Sequence, residues 1–206
     1  QQITKAMKMV SAAKLRRAQD AITQMRPYAQ KLQEMLSNIV SGSDGDVSLA
    51  LATERPVEKV LVIVVTSDRG LCGGYNSNLI KLSKQVVLDK YPAQHSKGNV
   101  YVLPIGKKAY EHFTKNNFKV VNLFWDLFTG LSFEKVQAAA KYAMDGFGNK
   151  EYDAVELVYS EFKNAATQQF IAEPFLPIQK VADSRSSKKA DFIFEPDKAV
   201  LIAELM

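Results

Sequence analysis

A seam of apolar and small residues runs along the first 40 residues and constrains the fold more than any other feature. Its positions alternate steps of four and three, the spacing of a helix face that packs along another helix. The seam consists of Ser11, Leu15, Ala18, Ile22, Met25, Ala29, Leu32, Leu36 and Ile39. This stretch has no Gly and is rich in good helix formers. We therefore expect one helix of about 60 Å, too long to be covered by one small domain.

The seam also predicts a partner helix. Ahead of it, Ile3, Met7 and Val10 follow the same steps one residue out of phase, which predicts a seam that drifts around the helix. Pro27 predicts a kink or a change of surroundings. The other terminal helical candidate is residues 198–206 (KAVLIAELM). Because the chain also begins with Gln1 and not Met, we expect it to be cut at both ends of one antiparallel helical hairpin.

From residue 57 the pattern changes to alternating strands and helices. Strands are predicted at 57–66, 100–105, 118–124 and 154–160, with helices at 76–90, 107–116 and 133–147 between them. This succession predicts a three-layer α/β domain with a mainly parallel sheet. Later strands are predicted at 168–178 and 191–194, around a polar loop at 183–189. The predicted domains are a coiled-coil helix (1–40), a linker (41–56), the α/β domain (57–196) and the start of a second helix (197–206).

A glycine-rich loop, TSDRGLCGGYNSN at residues 66–78, follows the first predicted strand. Such a loop can present N–H groups to phosphate. However, Gly70, Gly73 and Gly74 do not form G-x-G-x-x-G, and the chain contains no G-x-x-x-x-G-K-[ST]. We therefore interpret the three glycines as a structural strand-to-helix turn, with Asn76 or Ser77 capping the helix.

Residues able to support catalysis or metal binding are few. The single cysteine, Cys72, excludes an internal disulfide and a multi-cysteine zinc site. No His lies near it in sequence to act as a base, so we expect a small, partly buried thiol. The two histidines, His95 and His112, share no metal-binding motif. No apolar run approaches the ~20 residues of a membrane-spanning helix. We predict no catalytic, cofactor-binding or metal-binding residues and no membrane insertion.

The start of the long helix is strongly basic. Five cations precede the first acidic residue, Asp20: Lys5, Lys8, Lys14, Arg16 and Arg17. This basic collar could be an ordinary solvated helix face. A nucleic-acid adaptor would be expected to interleave aromatic residues with the cations, but the first aromatic residue is Tyr28. The collar therefore favours an acidic protein surface as its partner.

Four motifs resemble a known family. They are ITKAMKMVSAAKLRRAQ at 3–19, RPYA at 26–29, SDRGLCGGYNSNL at 67–79 and GKK at 106–108. In this order they resemble the gamma subunit of F-type ATP synthases. The resemblance implies a Rossmann-like domain below an antiparallel coiled coil, which turns inside a ring of alpha and beta subunits. It implies a central-stalk rotor with no active site and no cofactor, which couples transmembrane proton flow to ATP synthesis.

The resemblance also implies partners and a location. Met7, Lys8 and the other collar cations would face acidic loops of the beta subunits, and the Rossmann-like domain would contact the epsilon (or delta) subunit and the membrane rotor ring. The protein would be peripheral on the cytoplasmic face of a bacterial inner membrane, or on the matrix side of the mitochondrial inner membrane.

Two alternatives stay open from the residues alone. The first is a Rossmann-type enzyme that binds nucleotide or phosphate at residues 70–76. The second is a basic coiled-coil adaptor for nucleic acid, which would lose affinity steeply with salt. The helical seam, which needs a long partner helix, favours the rotor over both.

Overall fold

A computed structural model describes residues 2–41, 50–164 and 167–179. The chain forms two compact units, of which the second comprises Ser48–Gln179. The predicted strand at 191–194, the loop at 183–189 and the helix at 198–206 lie outside the described residues, as does most of the predicted loop at 41–46. Within the described ranges, no helix combines the length and apolar character needed to cross a membrane.

The first unit contains helix α1 (Gln2–Ser41), which confirms the long N-terminal helix. It has 40 residues, or about 60 Å at 1.5 Å per residue, and is one α-helix on both sides of Pro27. The side chains of its last turns, including the predicted seam residues Leu36 and Ile39, lie outside the described part of the structure. The rest of α1 is predominantly exposed.

The second unit is built on a five-stranded sheet. Its strands are β1 (Val60–Val65), β2 (Val100–Ile105), β3 (Lys119–Val120), β4 (Ala154–Phe162) and β5 (Gln168–Leu176). Their order is β3-β2-β1-β4-β5, and every pair is parallel except β4 with β5. The mainly parallel sheet of the prediction is therefore confirmed.

Five helices and helical turns flank or connect these strands. A 3-10 turn (Ala50–Ala52) precedes β1, and α2 (Tyr75–Lys90), α3 (Pro92–Ser96), α4 (Lys107–Lys115) and α5 (Phe133–Gly148) follow. Alternate residues of β1 point to opposite faces of the sheet. Val60, Val62 and Val64 pack with α2 and α4, whereas Leu61 and Ile63 pack with α5. This arrangement gives the three layers of a Rossmann-like α/β domain.

Two strand boundaries differ from the prediction for identifiable reasons. The strand predicted at 57–66 begins only at Val60, because the N–H groups of Glu58 and Lys59 donate to Asp153 Oδ2 (3.0 and 2.9 Å) and not to a neighbouring strand. The strand predicted at 118–124 is reduced to β3, since the chain then enters turns: Leu127 N donates to Phe124 O (3.3 Å). The short helix α3 was missed; Pro92 occupies its first turn, where a missing N–H carries no penalty.

Two buried carboxylates join elements that are distant in sequence. Asp153 accepts from Arg55 Nε at 2.6 Å, and the same guanidinium donates to the carbonyls of Phe147 and Tyr152. On β4, Glu156 is 2% exposed and accepts from Lys90 Nζ (3.0 Å) and Tyr91 Oη (2.7 Å) at the end of α2. Both carboxylates are therefore paired, as buried charges must be.

Candidate functional surfaces

The basic collar on α1 is fully available to solvent. Its five cations are all exposed, and none forms a salt bridge with a carboxylate of the described residues. At 3.6 residues per turn, about 100° separates neighbours, so these positions lie on different sides of the helix. Positive charge thus surrounds the first turns of α1. Met7 lies among these cations and is 66% exposed.

The predicted seam is an exposed apolar stripe. Among its described members, Leu15, Ile22 and Met25 are 40–68% exposed, whereas Leu32 is half-buried. Ile3 and Val10, which continue the seam one residue out of phase, are 78% and 56% exposed. Contiguous exposed apolar residues on a long helix indicate a surface for another helix. The assignment of these residues as coiled-coil contacts stays a prediction.

The loop between β1 and α2 is closed by Asn76. Its Oδ1 accepts from Ser67 N (3.0 Å), and its Nδ2 donates to Ser67 Oγ (2.9 Å) and Cys72 Sγ (3.1 Å). The expected capping of α2 by Asn76 or Ser77 is wrong: the cap position is Gly74, without a side-chain hydrogen bond, and Ser77 Oγ donates to Gly74 O (3.0 Å). Asn76 holds the two ends of the loop together because its amide can donate and accept at once.

The tip of this loop is exposed. Of the three predicted turn glycines, only Gly73 has a positive φ (+60°), which a side chain would strain. Leu71 also has a positive φ (61°), and its side chain is fully exposed. The expected partial burial of Cys72 is wrong, since Asn76 occupies the inside of the loop and leaves the thiol at the surface. Burial, and then the nearby Cys72 thiol, raise the pKa of Tyr75.

The same loop satisfies the N-terminus of α4. Thr66 Oγ1 accepts a hydrogen bond from Ala109 N (2.9 Å), and Ser67 O accepts one from Lys108 N (3.2 Å). Asp68 Oδ1 accepts a third from Lys107 N (3.0 Å). These are the free N–H groups that a phosphate would require at a helix start. Because the chain's own oxygens occupy them, this helix end offers no phosphate cradle.

Sequence reasoning missed this role of Asp68. An aspartate beside a helix start is a common cap, but the capped helix here begins 39 residues later in the chain, not in the adjoining α2. Asp68 and the start of α4 come together only because β1 and β2 lie side by side in the sheet. Among the described residues, no group of three or more His, Cys, Asp and Glu side chains could hold a metal.

We expect Asn76→Ala to destabilise the chain by about 2 kcal/mol, because the Ser67 N–H then loses its acceptor. Urea unfolding followed by circular dichroism measures the change, and Ser77→Ala is the matched control, since its hydroxyl serves only Gly74 O. Equal effects of the two variants would show that Asn76 does not hold the loop.

Comparison with known proteins agrees with this architecture. A family model described as ATP synthase matches residues 1–206. The ATP synthase gamma chain of Cytophaga hutchinsonii is 44% identical, and the match covers 100% of this chain and 71% of that protein. The chain belongs to the ATP synthase gamma-chain family. The gamma chain of Flavobacterium johnsoniae is 46% identical, with 100% of this chain and 70% of that protein covered.

A solved structure shares this fold. The central stalk of the Tetrahymena thermophila mitochondrial ATP synthase matches with a TM-score of 0.60 and 23% identity, covering 98% of this chain and 84% of that one. At this identity the likeness concerns the fold alone.

Proposed function

We propose that this chain is the central-stalk rotor subunit of an F-type ATP synthase, which couples proton flow to ATP synthesis in a ring of alpha and beta subunits. The observation that carries the proposal is α1: a helix of 40 residues with an exposed apolar seam and a basic collar, in a member of the gamma-chain family. Such a helix is suited to transmit a rotation along its axis. Neither alternative function has an observation in its favour.

The collar supplies the contacts of this rotor with its ring. Lys5, Lys8, Lys14, Arg16 and Arg17, together with Met7, would meet acidic loops of the beta subunits in turn. Exposed charge pairs contribute only about 0–1 kcal/mol each, so no single angle becomes a deep energy minimum. Charge that surrounds the helix therefore orients the rotor without holding it at one position.

The Rossmann-like unit would supply the other contacts of the stalk. It would contact the epsilon (or delta) subunit and the membrane rotor ring, and residues 197–206 would form part of the coiled coil. The chain would act without an active site or cofactor of its own, peripheral to the cytoplasmic face of a bacterial inner membrane or to the matrix side of the mitochondrial one.

Reconstitution tests the proposal. The chain is mixed with alpha and beta subunits, with and without a peptide extension that continues residues 198–206 as a helix, and assembly and ATP hydrolysis are measured. We expect the extended form to support robust assembly and turnover. If neither form associates, while the chain alone binds nucleotide with micromolar affinity, the nucleotide-binding alternative replaces the rotor.

Charge reversal of the collar gives a sharper prediction. We expect Lys8→Glu with Arg16→Glu to slow association with the alpha–beta ring by roughly tenfold at low salt, because electrostatic steering is lost. The difference should fade at high salt, since the Debye length falls from ~30 Å at 0.01 M to ~3 Å at 1 M. Stopped-flow fluorescence measures the rate.

The matched control for this variant is Lys97→Glu with Lys141→Glu, which changes the charge equally on the second unit. If the control slows association as much as the collar variant, net charge and not the collar is responsible.

A further inference from the structure

A groove on the second unit is lined by one face each of α2 and α4. Its volume is about 980 Å³. Along α2 it extends from Asn76 to Asp89, a distance of about 20 Å at 1.5 Å per residue. The rotor role proposed above for α1 makes no use of this surface.

The groove carries more positive than negative charge. Lys81, Lys84, Lys108 and Lys115 line it, against Asp89 and Glu111. Glu111 is already engaged, since Lys108 Nζ lies 2.8 Å from its carboxylate. Lys81, Lys84 and Lys115 form no salt bridge with any carboxylate in the described ranges. With Glu111 engaged, Asp89 is the one groove carboxylate among the described residues left to balance these three ammonium groups, so the groove keeps a net positive charge.

A histidine in the groove also lacks a partner. His112 Nε2 is buried and has no hydrogen-bond partner among the described residues. Burial, and then the nearby Lys84 ammonium, lower the pKa of His112. A carboxylate brought into the groove would favour the protonated imidazole and so raise the pKa of His112 again.

The groove has an apolar component as well. Ile80 and Leu88 lie on the same face of α2, and Leu88 is 56% exposed. A small anion would cover neither residue. A helical segment would cover both and would fill the length of the groove.

We propose that the α2–α4 groove docks an acidic amphipathic segment of a protein partner. Its carboxylates pair with Lys81, Lys84 and Lys115, and its apolar residues cover Ile80 and Leu88. Charge complementarity selects the partner, and the apolar contact holds it.

Photo-crosslinking in the assembled complex tests the docking. Benzoylphenylalanine replaces Gln85 in the groove or, as a control, Gln137 on α5, and adducts are identified by mass spectrometry. We expect Gln85 alone to link to a segment rich in Asp, Glu and apolar residues. Lys81→Glu with Lys84→Glu should reduce the yield at least fivefold, and Lys97→Glu with Lys141→Glu should not. Absence of an adduct, or an adduct with lipid, a non-acidic segment or this chain itself, overturns the proposal.

A titration of the full chain gives an independent test. The probe is a 14-residue helical peptide of Glu and Leu, and the control is the same peptide with Lys in place of Glu. By NMR, we expect the Glu peptide to raise the pKa of His112 and the Lys peptide not to raise it. A pKa of His112 that does not move, or that inorganic phosphate moves equally, contradicts a docked acidic segment.

Discussion

Replacing Gly106 by alanine is expected to destabilise the chain by more than about 4 kcal/mol, the largest effect of any single substitution considered. Gly106 has a φ of +110°, and a Cβ atom there would lie 2.2 Å from the carbonyl oxygen of Thr66. Thr66 cannot withdraw easily, because its N–H donates to Ile105 O (2.8 Å) and its Oγ1 accepts from Ala109 N (2.9 Å). The clash would therefore separate β1 from the start of α4.

The matched control for Gly106 is Gly98. It also has a positive φ (+66°), but no atom lies within 4 Å of an added Cβ. Gly98→Ala should therefore show only the backbone strain, about 1 kcal/mol. Chemical unfolding of both variants, or the soluble yield where Gly106→Ala does not fold, measures the difference. Similar stabilities for the two variants would mean that the contact with Thr66 relaxes at low cost.

The second large effect is expected at Asp153. Asp153→Asn should destabilise the chain by about 3 kcal/mol, as found when one partner of a buried ion pair is removed. One carboxylate oxygen accepts from Arg55 and the other from the N–H groups of Glu58 and Lys59. An amide has one acceptor oxygen, so its NH₂ must face one of these donor sets. Glu111→Gln, at an exposed pair, is the control and should show a smaller loss.

The effect at Asp153 should depend on pH. Burial alone would raise the pKa of this carboxyl, but the hydrogen bonds from Lys59 N, Arg55 and Glu58 N outweigh it and hold the pKa below its usual value. A lowered pKa stabilises the folded state above the unfolded value of about 3.9, and this contribution disappears as the pH falls through the folded value. The stability difference between Asp153→Asn and the unchanged chain should therefore persist from neutral pH to about 4 and shrink below it. A difference that grows on acidification contradicts this account.

Much of the α/β fold follows from patterns within single segments. The unbroken apolar run of β1 predicts burial on both faces, and the structure buries Val60 to Val64 at 5% exposure or less. The seam of α1 predicts one long helix, and the helix continues through Pro27. Such predictions succeed because periodicity within a segment is enough to decide them.

The contacts that set boundaries depend on distant partners, and sequence reasoning missed them. β1 begins at Val60 because Asp153, more than ninety residues later, takes the two preceding N–H groups. Asn76 closes its own loop and Asp68 caps α4, although both are residue types that commonly cap the helix next to them in sequence. Asn and Asp side chains can form hydrogen bonds with several kinds of backbone group. Only the tertiary fold decides which of these groups lies within reach.

The antiparallel direction of β5 has a mechanical consequence. Val60 of β1 lies beside Ala154 of β4, and Leu176 at the end of β5 lies beside Val155, so the chain enters and leaves the sheet at the same end of the strands. The flanking segments are joined there by a hydrogen bond from Ile178 N to Leu51 O (2.9 Å). A force applied to both ends of this unit acts first on that bond and on the Arg55–Asp153 pair, and reaches the strand ladders only after they yield. These contacts would therefore be the first in the domain to break under load.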